Sequence, residues 1–220
     1  SIEPMNLEKM HVMVERACSD LAGVSASQVE MQSGIQFYNG ITTDEIQGIL
    51  IKSASDLISL EQPNYQYVAA RLLLFSLRKS LYGKIYEIPH LKDHIDKCVE
   101  SGVYDPAVND KFTVGEINEL EKYLDHDRDY LFTYAGLRQV ADKYLVQDRS
   151  SGQVYETPQF MYMLIAMTMF AEYDRGSRLN YIKRYYDAIS KHKINIPTPI
   201  MGGVRTPIRQ FASCVLVDID

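Results

Sequence analysis

Cysteine is scarce in this chain. Cys18, Cys98 and Cys214 are three in 220 residues, odd in number and far apart. They make neither a disulfide framework nor a CxxC metal knuckle, and a reducing cytoplasm is the expected setting. Long apolar runs are also missing. The longest, Phe160 to Ala171, falls well short of the ~20 residues a bilayer-spanning helix needs, and Ser1-Ile2-Glu3-Pro4 has neither the basic region nor the apolar core of a signal peptide. Positive charge is in deficit: 23 Lys and Arg against 29 Asp and Glu give a net charge of −6 and a pI near 5.4. That excludes a global attraction to nucleic acid or anionic lipid, so a bound nucleotide would have to meet a local basic cluster. No HExxH, no GxxxxGK and no Ser-His-Asp pattern is present, and neither an internal repeat nor a low-complexity segment occurs.

What remains is an ordinary globular composition, 46% hydrophobic and 24% charged, on a chain long enough for one sizeable domain or two small ones. The first eighty residues read as four helices. Asn6 is an N-cap for a helix with Leu7, Met10, Val14, Ala17, Cys18 and Leu21 on its apolar face, ended by Gly23. Ser25 with Gln28 forms a capping-box pattern for a second helix running toward Tyr38, and Thr42 with Glu45 one for a third. Tyr67 to Leu81 is apolar on most sides, as a buried helix is, with Gly83 closing it.

Composition shifts near Lys84–Pro89, the expected domain boundary. Helices follow at about His90–Glu100 and Thr113–Leu124, the latter opened by a Thr113/Glu116 capping box, and at Tyr134–Asp142. The period then changes: Tyr144–Gln147, the turn Asp148–Gly152 and Gln153–Glu156 read as a β-hairpin. Thr157-Pro158, an N-cap followed by proline, starts a Met-rich helix through Phe170, and another helix covers Gly176–Lys191. Ile194–Ile196 and Gln210–Val217 read as strands joined by the loop Pro197–Arg209. A strand at that point needs a sheet to join.

Taken in order, these segments resemble the large, catalytic subunit of class I ribonucleotide reductases. The matching residues are Asp44-Glu45-Ile46 with Ile51-Lys52-Ser53-Ala54, Tyr65 to Arg71, and His126-Asp127-Arg128-Asp129. Next come Lys143 to Val146 with Tyr155-Glu156, and Arg184 to Ala188. The series ends with Pro197-Thr198-Pro199-Ile200-Met201, Arg205-Thr206-Pro207, Gln210-Phe211 and Ser213-Cys214. Any one tetrapeptide is weak; the ordered series, spanning the chain, is specific. The resemblance implies a mainly α fold in three parts. Residues 1–84 would be an ATP-cone-like four-helix regulatory domain lacking its first hairpin strand, of the kind that binds ATP as activator or dATP as inhibitor. Residues 85–193 would be a helical domain with a β-hairpin. Residues 194–220 would be the first strands of an incomplete ten-stranded α/β barrel that holds the active site.

The family reaction reduces ribonucleoside diphosphates to deoxyribonucleoside diphosphates for DNA synthesis. A cysteine thiyl radical takes the 3′ hydrogen, and a cysteine pair then supplies two electrons and becomes a disulfide. Cys214 matches the first cysteine of that pair, and a thiol suits the task because its disulfide is reached at biological potentials. By its residues alone, a cysteine alternating with valines is more often a small buried hydrophobe. Thr198 and Ser213 are by resemblance substrate contacts, small hydroxyls able to hold a diphosphate and a ribose hydroxyl; otherwise they are ordinary turn and strand polarity. Lys9, Thr43 and Lys79 match effector-binding positions of the cone, where ammonium and hydroxyl groups meet phosphate, although most lysines are simply surface charges.

The chain departs from the family in three places. Gln47 stands where relatives often carry histidine, and Ala212 where many have serine. The lysine- and arginine-bearing hairpin strand that precedes the segment matching Ser1-Ile2-Glu3 has no counterpart, so weakened ATP binding is expected. His90 and His94 have i, i+4 spacing but no HExxH; in Asp125–Asp129, Arg128 reads as an ion-pair hub.

The resemblance implies several partners: the remainder of the large subunit, a small subunit carrying the diiron-tyrosyl radical, a nucleoside diphosphate and a second large subunit. ATP and dATP are effectors; no metal or other cofactor is expected in this chain. The thiyl-forming cysteine, its acid–base glutamate, the second redox cysteine and the shuttle cysteines belong to later parts of the family sequence. One redox cysteine cannot deliver two electrons, so these 220 residues alone are expected to be inactive. The alternatives are a stand-alone ATP/dATP-binding regulatory module and a helical interaction module.

Overall fold

Three helices of this protein, those that follow Asn6, Thr42 and Thr113, start where a side-chain oxygen meets the free N–H groups of a first turn. The computed structural model describes residues 6–34, 36–214 and 216. It divides into two compact units, one of Ser1–Tyr86 with Tyr130–Gln139, the other of Glu87–Asp129 with Val140–Asp220.

The first unit contains α1 (Leu7–Cys18), α2 (Ala26–Gly34), α3 (Thr43–Asp56) and α4 (Tyr65–Tyr82). Asn6 accepts the Lys9 N–H at 2.9 Å, and Thr42 with Glu45 forms the reciprocal capping box, each worth about 1 kcal/mol. The box expected at Ser25 and Gln28 does not form. The Ser25 N–H donates to the Tyr65 hydroxyl at 3.0 Å, and that hydroxyl donates to the Gln28 side chain. A buried phenol that needs both a donor and an acceptor has displaced the local cap. α2 ends at Gly34 instead of running toward Tyr38, whose hydroxyl donates to Glu45 at 2.8 Å. Gly83, at φ 72°, adopts the left-handed cap conformation that glycine enters without strain and closes α4. The inner faces meet in a core of Val14, Ala17, Val29, Leu50, Ala54, Val68, Leu72 and Phe75, with Tyr130 and Tyr134 packed against it. Tyr130 stands edge-on to Phe75 at 6.4 Å and lies beneath the Arg71 guanidinium at 5.1 Å.

The second unit is built from α5 (Leu91–Glu100), α6 (Ala107–Lys111), α7 (Val114–Glu121), α9 (Pro158–Met169), α10 (Arg178–Ser190) and α11 (Thr198–Gly203). A 3-10 turn at His126–Leu131 and α8 (Tyr134–Lys143) straddle the division between units. α9 is buried from Pro158 through Met167, so it reads as apolar on every side, and both α10 and α11 pack on it. The Thr113/Glu116 capping box forms. Its glutamate also receives a two-pronged bond from Arg178, at 2.8 and 2.7 Å, which ties α7 to α10. Arg128 bonds Asp125 at 3.3 Å and Asp187 at 2.7 Å, an ion-pair hub that draws its second partner from α10.

β structure is nearly absent among the described residues. The hairpin comes down to one antiparallel bridge, Gln147 with Val154, framed by Asp148 N–H to Gln153 O at 2.8 Å and Tyr155 N–H to Val146 O at 2.9 Å. Ile194–Ile196, expected as a strand, is irregular, and the expected loop after it contains α11. Gln210–Cys214 is irregular too. Val215 and Val217–Asp220, where the second expected strand and the end of the barrel segment fall, lie outside the described residues. The opening barrel strands are thus not confirmed among the described residues. A strand persists only where a neighbour takes its N–H and C=O groups, and no described segment does so here. No described helix is long and apolar enough to cross a membrane.

Candidate functional site

Thr198 opens α11 directly after Pro197 and is exposed, its hydroxyl 3.4 Å from that of Tyr144. The chain beyond α11 folds back on it: a Cβ placed on Gly203 would lie 3.5 Å from the Phe211 ring and 3.7 Å from Ile208. Ser213 and Cys214 follow Phe211, both exposed, with the Ser213 hydroxyl 3.8 Å from the Cys214 sulfur. The Cys214 thiol is free. Thr198 and the Ser213-Cys214 pair thus belong to one folded-back segment, although no hydrogen bond joins them among the described residues.

Arg205 anchors that segment. It is the largest fully buried side chain described and pairs with Glu156, which is also fully buried. Its Nε lies 3.0 and 2.9 Å from the two carboxylate oxygens, and Nη2 donates to the same group. Nη1 donates to the Met201 carbonyl in α11 at 2.6 Å and Nη2 to the Tyr144 carbonyl at 2.9 Å. The carboxylate also accepts the Val146 N–H at 2.7 Å and the Tyr104 hydroxyl. A buried charge is tolerated only when paired and fully hydrogen-bonded, and this one is. Both residues lie in stretches singled out from sequence, but their pairing across 49 positions left no local signal.

The network continues inward through His94, whose Nε2 is 3.0 Å from the Tyr104 oxygen and whose ring stacks on Phe160 at 4.0 Å. Burial first, then the Glu156 charge, holds the Tyr104 hydroxyl well above the ordinary tyrosine range. It therefore donates to Glu156, and the neutral His94 must carry its proton on Nε2 to donate in turn. Burial, with lesser contributions from Lys97 and Arg205, lowers the His94 pKa to about 3. Between pH 6.5 and 3 only the unfolded chain binds that proton, so the His94 contribution is intact above pH 6.5 and declines as pH falls. The slope approaches about 1.4 kcal/mol per pH unit. Urea unfolding at pH 7.5 and 5.5 is expected to show an acid loss that His94→Gln reduces by about that amount; an equal loss in the variant would remove His94 as its source.

His94 is thus a core hydrogen-bonding histidine. His90, one turn before it, is exposed beside Glu121 at 3.4 Å, and the two do not face a common site. Cys98 lies in the same buried cluster, its sulfur 3.8 Å from both His94 Nε2 and the Tyr155 carbonyl. Burial pushes its thiol up to about 12.

In the first unit Lys9 is exposed on the first turn of α1, Lys79 is half-buried on the last turn of α4, and Thr43 is exposed at the first position of α3. α4 packs against both α1 and α3. Among the described residues no hydrogen bond or ion pair engages either lysine ammonium, so both charges are available to an anion. Gln47, one turn after Thr43, is buried. Arg71, missed as a structural residue from sequence, donates to the Ala17 and Ser19 carbonyls at 3.3 and 2.6 Å and so closes the C-terminus of α1.

Two family models match the chain: the ATP cone domain over residues 1–80 and the all-alpha domain of ribonucleotide reductase over residues 130–209. Ribonucleoside-diphosphate reductase 1 subunit alpha of Escherichia coli is 51% identical over 218 residues, which cover 99% of this chain and 28% of that protein. The ribonucleoside-diphosphate reductase subunit alpha of Haemophilus influenzae is 49% identical over 99% of this chain and 29% of its own length. The subunit of the same name from Enterobacteria phage T4 is 48% identical over 89% of this chain and 26% of its own length. The chain therefore spans less than a third of each of these curated relatives.

Proposed function

Belonging as it does to the ribonucleoside-diphosphate reductase alpha-subunit family, this chain, we propose, supplies the effector-binding cone and part of the active site of a ribonucleoside-diphosphate reductase. The observation that carries this is the presence, in one chain, of an ATP cone and of the folded-back segment bearing Thr198, Ser213 and an exposed free Cys214. Residues 1–84 are the regulatory domain, 85–193 the helical domain and 194–220 the entry to the barrel. Thr198 and Ser213 hold the substrate's diphosphate and ribose hydroxyl. Cys214 and a second cysteine from the remainder of the subunit each give up a hydrogen. The ribose 2′-hydroxyl departs as water, and the two sulfurs are left joined in a disulfide. The initiating radical comes from a diiron-tyrosyl small subunit, and the reaction takes place in the cytoplasm.

In the cone, Lys9 and Lys79 neutralise effector phosphates, and Thr43 adds a hydroxyl bond. In the complete subunit with its radical-bearing partner, Lys9→Ala and Lys79→Ala are each expected to raise the ATP concentration for half-maximal stimulation by about tenfold, the loss of one charge-assisted bond. An unchanged ATP response in both variants would remove the effector assignment. Failure of the wild-type complex to reduce nucleoside diphosphates would overturn the function itself.

A further inference from the structure

We infer that the buried Arg205–Glu156 pair is a positioning device for substrate binding: it fixes α11 so that Thr198 meets the substrate's diphosphate. This rests on the proposed contact between Thr198 and substrate. The two charged side chains are wholly buried, and a buried ion pair is a poor source of stability, since apolar residues of similar volume often serve as well or better. What the guanidinium supplies instead is a planar fork with fixed directions. Its prongs go to two places that frame Thr198: the Met201 carbonyl within α11 and the carbonyl of Tyr144, the residue whose hydroxyl faces the Thr198 hydroxyl. The Arg205 backbone carbonyl accepts the Asp105 N–H at 2.9 Å, fastening the same residue to the segment between α5 and α6. One side chain and its own backbone thus join α11, the end of α8, the hairpin and the α5–α6 connection. Neither group touches substrate; both act through Thr198.

The test is steady-state kinetics of the complete reductase, with its radical-bearing partner, on a nucleoside diphosphate. Arg205→Lys keeps the charge and loses the fork, and Glu156→Gln keeps the shape and weakens the pairing. Each is expected to raise KM about tenfold with kcat changed less than about threefold. Thr198→Ala is expected to raise KM similarly, and the Arg205→Lys/Thr198→Ala double variant to be no worse than Thr198→Ala, since both changes remove the same contact. A purely structural pair would lower thermal stability and the active fraction, hence apparent kcat, and leave KM alone; that result would overturn the inference. If one pair variant does not fold, the other gives the same reading; if neither folds, the pair serves stability and the inference falls. An unchanged KM in Thr198→Ala would instead remove the underlying contact and the inference with it, and the two failures are told apart by that variant alone.

Discussion

Cys214→Ser in the complete large subunit is expected to cut multiple-turnover formation of deoxyribonucleoside diphosphate by roughly three orders of magnitude or more, the loss typical of an essential covalent participant. Affinity for the nucleoside diphosphate should stay within about twofold, because serine has nearly the same shape and still offers a hydroxyl. The chemistry explains the asymmetry: reduction needs two sulfurs that can join, and an oxygen cannot take the place of one of them. The other thiols of the chain are poor substitutes. Cys98 is buried, and Cys18 is half-buried with its thiol pushed up to about 11, mainly by burial. Thiolate is the form that exchanges, so Cys18→Ser and Cys98→Ser should retain turnover, with Cys98→Ser losing some stability. Wild-type turnover by the Cys214→Ser enzyme would sink the redox assignment.

The second large effect is on folding. Glu156→Ala is expected to lower unfolding free energy by about 3–5 kcal/mol, the cost of leaving one partner of a buried ion pair without the other. It also strips acceptors from the part-buried Val146 N–H and the buried Tyr104 hydroxyl, which adds their desolvation cost. Glu119→Ala provides the contrast. Glu119 pairs with Lys183 at 2.5 Å, but its side chain is 53% exposed, and such pairs contribute about 0–1 kcal/mol. Urea titration of both variants at neutral pH measures the difference. Equal losses would mean that Glu156 and Arg205 are not enclosed in the folded protein.

Which features the sequence reveals follows from the range of the forces involved. Caps at Asn6, Thr42 and Thr113 lie within one helical turn of their targets and are readable as short patterns. Ser25 fails as a cap because the competing partner, Tyr65, comes from 40 residues away. Ile194–Ile196 has strand-like side chains but no described neighbour, and β propensity acts only through such neighbours. Thr198, Ser213 and Cys214 could be put forward from sequence because their motif is continuous. Glu156 and Arg205 lie in the same kind of motif, yet nothing local shows that a glutamate after a hairpin and an arginine after a short helix share one buried site.

Tyr130 packs on Phe75 and Arg71 although the stretch Glu87–Asp129 of the second unit lies between them in sequence. The first compact unit is thus built from two separated stretches of chain. The chain leaves it after Tyr86, returns at Tyr130 and departs again after Gln139. A gene fusion that transplants only the leading segment would carry four helices and leave behind the aromatic rings of Tyr130 and Tyr134 that cover part of their core. Moving the whole of that unit's core therefore means moving both stretches of chain.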